Sequence, residues 1–217
     1  MTAPITQVEA VAKALRVFLA PSQVTEIRAL FGGKKIRCMV SGHIDRLAQQ
    51  AAEWDQAGAV GVYFTPNPVR PDLEGSRASA RADDIVERRW LLIDVDPIRE
   101  AGIASTEDER RWAWDVLCRV RGEMDGRGLT GAVVGDSGNG WHLCYPIRLP
   151  NDGASKEMVK SILAGLHKRC STDRAKVDTS TYDAPRIWKL YGTHARKGRA
   201  NAERPHRLAR IVEAAQL

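Results

Sequence analysis

The run Trp90-Leu91-Leu92-Ile93-Asp94-Val95-Asp96-Pro97 is an apolar strand that ends in two carboxylates. Side chains two residues apart in a strand point to the same face, so Asp94 and Asp96 lie about 6–7 Å apart on one side of it. Two like charges at the edge of a core repel each other unless a cation lies between them. A pair of Mg²⁺ or Mn²⁺ ions would supply that charge and would suit phosphoryl transfer. By itself, however, Asp-x-Asp more often marks a strand that ends in a solvated acidic turn.

The chain has 217 residues, of which 43% are hydrophobic, as is typical of a globular protein with one large domain or two small ones. It contains no run of 18 apolar residues and no signal-peptide pattern, so we expect no membrane association and a cytoplasmic location. Four widely separated cysteines, none in a Cys-x-x-Cys pair, argue against a zinc site and a disulfide framework.

Basic residues outnumber acidic residues by 33 to 27, and they dominate the segment from Lys156 to Arg210. A basic tract suits a polyanion such as a nucleic acid. A solvated charged face is an equally good explanation of the tract. We expect Arg196, Lys197 and Arg199, near its end, to contact DNA.

The hydrophobic pattern predicts both helices and strands. Helices are predicted over residues 6–19, 45–57, 106–127 and 154–170. Strands are predicted over residues 25–31, 35–41, 60–65, 90–96, 132–135 and 141–147. Residues 66–82 are polar and rich in Pro, Gly, Ser and Arg, which predicts a loop. Because strands and helices mix without strict alternation, we predict an α+β fold with a largely antiparallel sheet, in which residues 1–217 form a single domain with an N-terminal α/β subregion.

A second motif lies in the turn Asp136-Ser137-Gly138-Asn139-Gly140 and continues to His142. Two glycines flank Asn139, so the backbone could approach a ligand closely and expose amide N–H groups, which suits a phosphate. Ser137 adds a hydroxyl group, and the imidazole of His142 could hold a phosphate oxygen. Alone, the motif favours an ordinary Asn-Gly hairpin turn beside a core histidine.

A third group of polar residues comprises Asp178, Arg186 and Lys189. Asp178 follows an apolar residue and is a candidate third carboxylate. Arg186 and Lys189 are three residues apart, so in a helical turn they would share one face and could clamp a triphosphate. A pair of surface cations would give the same pattern.

Together these motifs resemble the archaeo-eukaryotic primase superfamily, in its primase-polymerase branch found in phages, plasmids and mobile elements. The resemblance covers nearly the whole chain, and the order and spacing of the motifs are more specific than any one of them. The matching segments are Val62-Tyr63-Phe64-Thr65-Pro66-Asn67-Pro68, residues 88–97, residues 136–142 with their Ser-Gly-x-Gly-x-His pattern, and residues 177–193.

The resemblance implies that an RNA-recognition-motif-like catalytic sheet packs with an N-terminal α/β subdomain. It implies that Asp94, Asp96 and Asp178 hold two divalent metals, Mg²⁺ or Mn²⁺, and that His142 takes part in catalysis. The residues that would bind the incoming nucleoside triphosphate are Tyr63, Asn67, Ser137, Gly138, Asn139, Gly140, His142, Arg186 and Lys189. Longer relatives fuse this domain to a helicase, so we expect a helicase in cis or in trans. Some plasmid relatives carry a zinc-binding insertion, for which this chain has no cysteine cluster.

These features predict a DNA primase and DNA polymerase, a nucleotidyltransferase that makes and extends primers on a single-stranded DNA template by two-metal catalysis. A primer 3′-hydroxyl would attack the α-phosphate of an incoming dNTP or NTP. A metal-dependent nuclease would need the same acids but no triphosphate-binding turn. A non-catalytic nucleic-acid-binding module of a replication initiator would use exposed aromatic and basic residues, and would leave the three aspartates unexplained.

Overall fold

A computed structural model describes residues 5–214 of the chain. Its helices are α1 (Gln7–Phe18), α2 (Ile44–Gln56), α3 (Glu107–Asp125) and α4 (Gly153–Cys170). The strands before α4 are β1 (Thr25–Leu30), β2 (Ile36–Ser41), β3 (Gly61–Phe64), β4 (Glu87–Pro97), β5 (Val133–Asp136) and β6 (Trp141–Pro150). Those after it are β7 (Ala175–Val177), β8 (Trp188–Lys189), β9 (His194–Ala195), β10 (Arg207–Leu208) and β11 (Arg210–Glu213).

The first sheet is antiparallel and has the strand order β2-β1-β3-β8. Strands β1 and β2 form a hairpin around Gly32-Gly33, with Leu30 opposite Ile36. One face of the sheet shares an apolar core with α1 and α2, formed by alternate strand residues such as Ile27 and by helix residues such as Leu15.

The second sheet is also antiparallel and has the strand order β11-β5-β6-β4-β7. One face of its long strand β4 carries Leu91, Ile93 and Val95, which pack with α3 and α4 in a second core. The other face of β4 carries Trp90 and Leu92, which belong to the first core. Strand β4 therefore contributes side chains to both cores and joins the two halves of the molecule.

The predicted α+β fold with largely antiparallel pairing is confirmed. Each predicted helix is present, with ends no more than two residues from the predicted bounds, and the predicted strands correspond to β1 to β6. The strands from β7 to β11 were not predicted, because segments of two to four residues show too little alternation. The single-domain assignment of residues 1–217 and the RNA-recognition-motif-like character of the catalytic sheet stay predictions; residues 1–4 and 215–217 lie outside the described part.

Within residues 5–214, no helix combines the length and the apolar character that crossing a bilayer requires.

Candidate active site

A cavity of about 490 Å³ opens between the two sheets at the end of β4. Trp90 and Leu92 point from one face of β4 into the first core, and the next residues on that face are Asp94 and Asp96. The acidic pair therefore begins where this face leaves the core and enters the cavity. The residues of the predicted site that line the cavity are Tyr63, Asp94, Asp96, Ser137, Asn139, His142, Arg186, Lys189, Arg196 and Lys197. Those that do not line it are Asn67, Gly138, Gly140, Asp178 and Arg199.

Strand pairing brings Asp178 beside the acidic pair, although it lies more than 80 residues further along the chain. Strand β7 pairs with β4 so that Val177 is opposite Val95, and the backbone N–H of Asp178 donates to the carbonyl of Asp94 at 2.8 Å. The Asp178 carboxylate accepts hydrogen bonds from Ser180 and, at 3.1 Å, from Arg186. The backbone pairing thus makes Asp94 and Asp178 neighbours, while the Asp178 side chain is turned toward Arg186.

The charge on Asp94 is poorly compensated. Its Oδ1 atom is buried without a hydrogen-bond partner. Burial raises the pKa of Asp94 well above its usual range, and repulsion from Asp96 and Asp178 raises it further, while Arg186 and Lys197 oppose the shift. The three acids therefore form a site that is short of positive charge.

The same carboxylates fit a divalent cation, since carboxylate oxygens are the ligands that Mg²⁺ and Mn²⁺ prefer. An unpartnered buried oxygen on Asp94 and the mutual repulsion of the acids are what a bound cation would relieve. In the described part of the chain, however, no three Asp, Glu, His or Cys side chains are grouped closely enough to form a metal site as they stand. The metal assignment for Asp94, Asp96 and Asp178 stays a prediction.

His142 lies next to Asp94 across the β4–β6 pair, with its Nε2 atom 3.6 Å from Oδ1 of Asp94. Its ring lies against that of Trp188 at a centroid distance of 4.0 Å, with the ring planes tilted by 35°, and its Nδ1 atom is 2.8 Å from the hydroxyl of Tyr191. Burial lowers the pKa of His142 to about 3, with a smaller contribution from the charge of Lys189. The imidazole is therefore neutral at physiological pH. When Nδ1 accepts from Tyr191, Nε2 carries the proton and can donate it to an anion in the cavity.

Tyr191 reaches His142 because Gly135 leaves room for it. Gly135 is opposite His142 in the β5–β6 pair, and a Cβ atom at this position would collide with the Tyr191 hydroxyl. Tyr191 lies within the matching segment 177–193, but the sequence motifs assign it no role. The available signal was a glycine in a strand next to a histidine, which often marks a close approach by another side chain.

The turn at residues 136–140 is held together by its own hydrogen bonds. Asp136 accepts from the N–H of Gly138, and the Ser137 hydroxyl accepts from Gly140 at 2.9 Å and Asn139 at 3.4 Å. The N–H of Ser137 donates to the carbonyl of Gly140 at 3.1 Å. The four amide N–H groups are thus used within the turn in this structure, and nucleotide binding by Ser137, Gly138, Asn139 and Gly140 stays a prediction. Ser137 and Asn139 line the cavity.

A buried ion pair fixes this turn to helix α3. Both guanidinium nitrogens of Arg110 donate to the Asp136 carboxylate, at 2.8 and 2.9 Å. The Asn139 side-chain oxygen accepts from the N–H of Ser105, just before α3, at 3.0 Å. Sequence reasoning missed Arg110, although its spacing with the buried residues Ala113 and Leu117 places it on the inner face of α3.

The amino group of Lys189 is buried and bonded to neighbouring protein groups. Its ammonium group donates to Thr193 and to the carbonyl of His194, both at 2.8 Å, and burial lowers its pKa to about 7. It also lies 5.5 Å from the ring centroid of Tyr63, its cross-strand neighbour. Lys189 belongs to strand β8, so the expected helical turn that would align it with Arg186 is wrong.

Asn67 is buried away from the cavity. Its amide nitrogen donates to the carbonyl of Ala184 at 2.9 Å, and its oxygen accepts from the N–H of Arg89 at 2.8 Å. These bonds connect the loop after β3 to β4 and to the segment before β8. The contact of Asn67 with a nucleotide stays a prediction that its position does not favour.

Much of the basic tract is neutralised by acids from other elements. Its ion pairs of 3.5 Å or less are Lys156–Asp183, Arg169–Glu123, Arg186–Asp178, Arg196–Asp55, Arg204–Glu109 and Arg207–Glu107. Of the three residues predicted to contact DNA, Arg196 thus forms an ion pair with Asp55. Lys197 and Arg199 are exposed, and Lys197 lines the cavity.

No protein-family model matches the chain, and no curated protein matches it. Solved structures of primases do resemble it. The crystal structure of primase RepB′ superposes with a TM-score of 0.55 at 12% identity, covering 96% of this chain and 57% of that one. The catalytic domain of primase RepB′ in complex with initiator DNA has a TM-score of 0.52 at 14% identity, covering 94% of this chain and 85% of that one.

The chain shares its fold with these primase structures. The polymerase domain of Mycobacterium tuberculosis ligase D, solved in complex with DNA, shares this primase fold with a TM-score of 0.51 at 16% identity. That similarity covers 94% of this chain and 81% of the ligase domain. The resemblance inferred from the sequence motifs is thereby confirmed at the level of the primase fold. The chain spans just over half of the length of the RepB′ primase structure, 57%.

Proposed function

We propose that this chain catalyses template-directed nucleotidyl transfer on DNA, as a primase that also extends primers. The observation that carries the proposal is the acidic wall formed by Asp94 and Asp96 in a cavity between the sheets of a primase fold, with Asp178 on the neighbouring strand. The cations Arg186 and Lys197 line the same cavity. Acids for metal ions next to cations for phosphates are what transfer from a nucleoside triphosphate requires.

The size of the cavity is compatible with this substrate. Its volume of about 490 Å³ lies within the range of small-molecule sites, about 300–1,000 Å³. Tyr63 and Trp188 supply aromatic walls, and His142 supplies a neutral N–H donor. In the proposed complex, the sugar or base of the nucleotide lies by Tyr63, and its phosphates lie between His142, Ser137 and the two cations.

In the reaction, the 3′-hydroxyl oxygen of a primer forms a bond to the α-phosphorus, and the bond from that phosphorus to the bridging oxygen of the β-phosphate breaks. The proton of the hydroxyl is released to solvent, and pyrophosphate leaves with the electron pair of the broken bond. Divalent cations held by Asp94, Asp96 and Asp178 would lower the pKa of the hydroxyl and neutralise charge on the departing pyrophosphate. His142 donates a hydrogen bond to the phosphates, and Arg186 and Lys197 orient them and offset their charge. The incoming nucleotide is a dNTP or an NTP, and the proposal includes a helicase in cis or in trans.

A nuclease is the main rival, because hydrolysis of DNA by two metals also needs carboxylates. Hydrolysis of a phosphodiester needs no site for a triphosphate, whereas Arg186, Lys197 and His142 line the cavity beside the acids. The positions of Arg186, Lys197 and His142 therefore favour transfer over hydrolysis.

The test is Asp94→Asn, assayed for nucleotide incorporation on a primed and an unprimed single-stranded template with Mg²⁺ or Mn²⁺. We expect incorporation to fall by at least about 10³-fold, because the substitution removes a charge needed in the transition state, while affinity for the template stays within twofold of wild type. The matched control is Asp115→Asn, an exposed aspartate on α3. Incorporation by Asp94→Asn at the rate of the control, or degradation of template by the wild type without triphosphates, would contradict the proposal.

A further inference from the structure

A second cavity, of about 380 Å³, lies beside the first at the outer edge of the first sheet. It is lined by Ile36, Arg37, Cys38, Gln50, Trp54 and Arg77. Leu30 lines the active-site cavity, and its partner in the β1–β2 pair is Ile36, which lines the second cavity. Side chains directly opposite each other in an antiparallel pair have Cβ atoms about 5 Å apart. The two cavities are therefore neighbours across a single strand pair.

The second cavity carries positive charge that the protein does not neutralise. Arg37 and Arg77 are both exposed, and neither makes a salt bridge within 4.0 Å to a carboxylate of residues 5–214. Lys34 and Lys35 in the adjoining hairpin turn are also exposed, and neither makes a salt bridge within 4.0 Å to a carboxylate of residues 5–214. This contrasts with the basic tract, where most arginines face an acid. Four unpaired cations at one edge of the sheet create a local field that attracts a polyanion.

Exposed apolar side chains lie between these cations and the active site. Ile36 is 54% exposed, and Val60, which lines the active-site cavity, is 38% exposed. A duplex hides its bases and would gain little from such side chains. A single strand offers phosphates for the cations and unpaired bases whose faces can contact the aliphatic side chains of Ile36 and Val60. Known single-strand-binding surfaces likewise combine a positively charged groove with base contacts, which most often come from aromatic side chains.

We propose that the hairpin surface, defined as Lys34, Lys35, Ile36, Arg37 and Arg77, binds the unpaired template strand as it leaves the active-site cavity. Ile36 and Val60 contact bases, and Arg37 and Arg77 contact phosphates. The identity of the strand as template rests on the proposed function, whereas its binding as single-stranded DNA does not. The surface lies outside every segment that the sequence motifs assigned to DNA.

The test is the binding of a fluorescein-labelled oligothymidylate of about 16 nucleotides, followed by anisotropy over a range of salt concentrations. The variant is Arg37→Gln with Arg77→Gln. Its matched control is Arg119→Gln with Lys168→Gln, two exposed cations on α3 and α4, behind the second sheet, which lowers the net charge equally. Each lost phosphate contact on a single strand reduces the slope of log K against log salt by about 0.7. We therefore expect a slope smaller by about 1.4 for the variant and an unchanged slope for the control.

A second variant, Lys34→Gln with Lys35→Gln, keeps the test independent of the two arginines, and circular dichroism confirms that all variants fold. Equal slopes for both hairpin variants and the control would overturn the proposal, even if the wild type incorporates nucleotides. Conversely, a wild type that incorporates no nucleotides would overturn the proposed function, while a smaller slope for the hairpin variants would still support the single-strand surface.

Primer extension tests whether the strand bound by the hairpin surface is the template. The hairpin variants should lose extension on templates with a long unpaired 5′ stretch, and should match wild type on templates cut at the templating base.

Discussion

At the scale of single residues, Asp94 carries charge where the protein offers it little compensation. Its Oδ1 atom is buried without a hydrogen bond, and both burial and its acidic neighbours raise its pKa. Leu92, two residues earlier on the same face, is fully packed in the first core. A side chain that destabilises the fold at such a position is expected where the site needs it for binding or catalysis.

Asp94→Asn should therefore stabilise the protein in the absence of divalent cations. A raised carboxyl pKa means that the folded state holds the proton more tightly than the unfolded state does, so the wild type loses stability as pH rises through and above the usual carboxyl pKa of 3.8. We expect the free energy of unfolding of the variant to exceed that of the wild type by about 0.5–2 kcal/mol at pH 8. This difference should become smaller towards pH 4. Urea denaturation in EDTA at several pH values measures this.

Asp115→Asn is the control for this measurement, since Asp115 is exposed. If the difference in free energy of unfolding between Asp94→Asn and wild type does not change with pH, the surroundings of Asp94 do not destabilise its charged carboxylate.

The residues that the sequence predicted best are those positioned by a single strand. Asp94 and Asp96 share a face because side chains alternate along β4, which needs no tertiary information. Lys189 shows the opposite case. Its buried position and its bonds to Thr193 and the His194 carbonyl depend on a loop that folds back over β8.

At the scale of secondary-structure elements, the start of strand β6 is shaped by its close approach to β4. A Cβ atom on Gly140 would lie 2.5 Å from both the Asp96 carboxylate and the carbonyl oxygen of Val95. The glycine in the second motif thus allows two strands to meet beside the acidic pair. Its role here is to position an acid, whereas the sequence suggested exposure of backbone amides.

Gly140→Ala should consequently displace Asp96 and lower incorporation by about tenfold or more, since small errors in position are costly in catalysis. The collision with backbone should also cost about 1–3 kcal/mol in free energy of unfolding. The matched control is Gly122→Ala in α3, where no heavy atom lies within 4 Å of the added Cβ. Because alanine is the better helix former, this control should be stabilised by about 0.5–1 kcal/mol.

Primer-extension rates and urea denaturation of both glycine variants provide the comparison. Normal extension by Gly140→Ala at saturating substrate would show that β6 can move away from β4 without disturbing Asp96.

At the scale of the whole molecule, aromatic side chains of several elements meet where the two sheets adjoin. The Phe18 ring lies 4.9 Å from Trp90 of β4, 5.3 Å from Phe64 of β3 and 5.9 Å from Tyr191, measured between centroids. The indole N–H of Trp90 donates to the carbonyl of Phe18 at 3.0 Å. Helix α1 therefore holds together the strands that form opposite walls of the active-site cavity.

Phe18→Ala should lower the free energy of unfolding by about 3–5 kcal/mol, as expected for removal of a buried aromatic ring. Because the first core includes residues of β4, we expect both sheets to unfold in one transition. Far-ultraviolet circular dichroism and tryptophan fluorescence, recorded on the same urea series, should give coincident curves. Two separated transitions in the wild type would show that the halves are independent units.

The sequence alone determined the helices, the longer strands, the α+β class and the acidic pair on β4, because each depends on the periodicity of neighbouring residues. Only the tertiary structure decided that Asp178 lies beside Asp94, that Arg110 holds the turn before β6, and that much of the basic tract is paired with acids. It also decided that unpaired cations gather at the β1–β2 hairpin instead. These contacts join residues that are far apart in the chain. Strand order and register decide which acid meets which base, and no local sequence pattern encodes strand order or register.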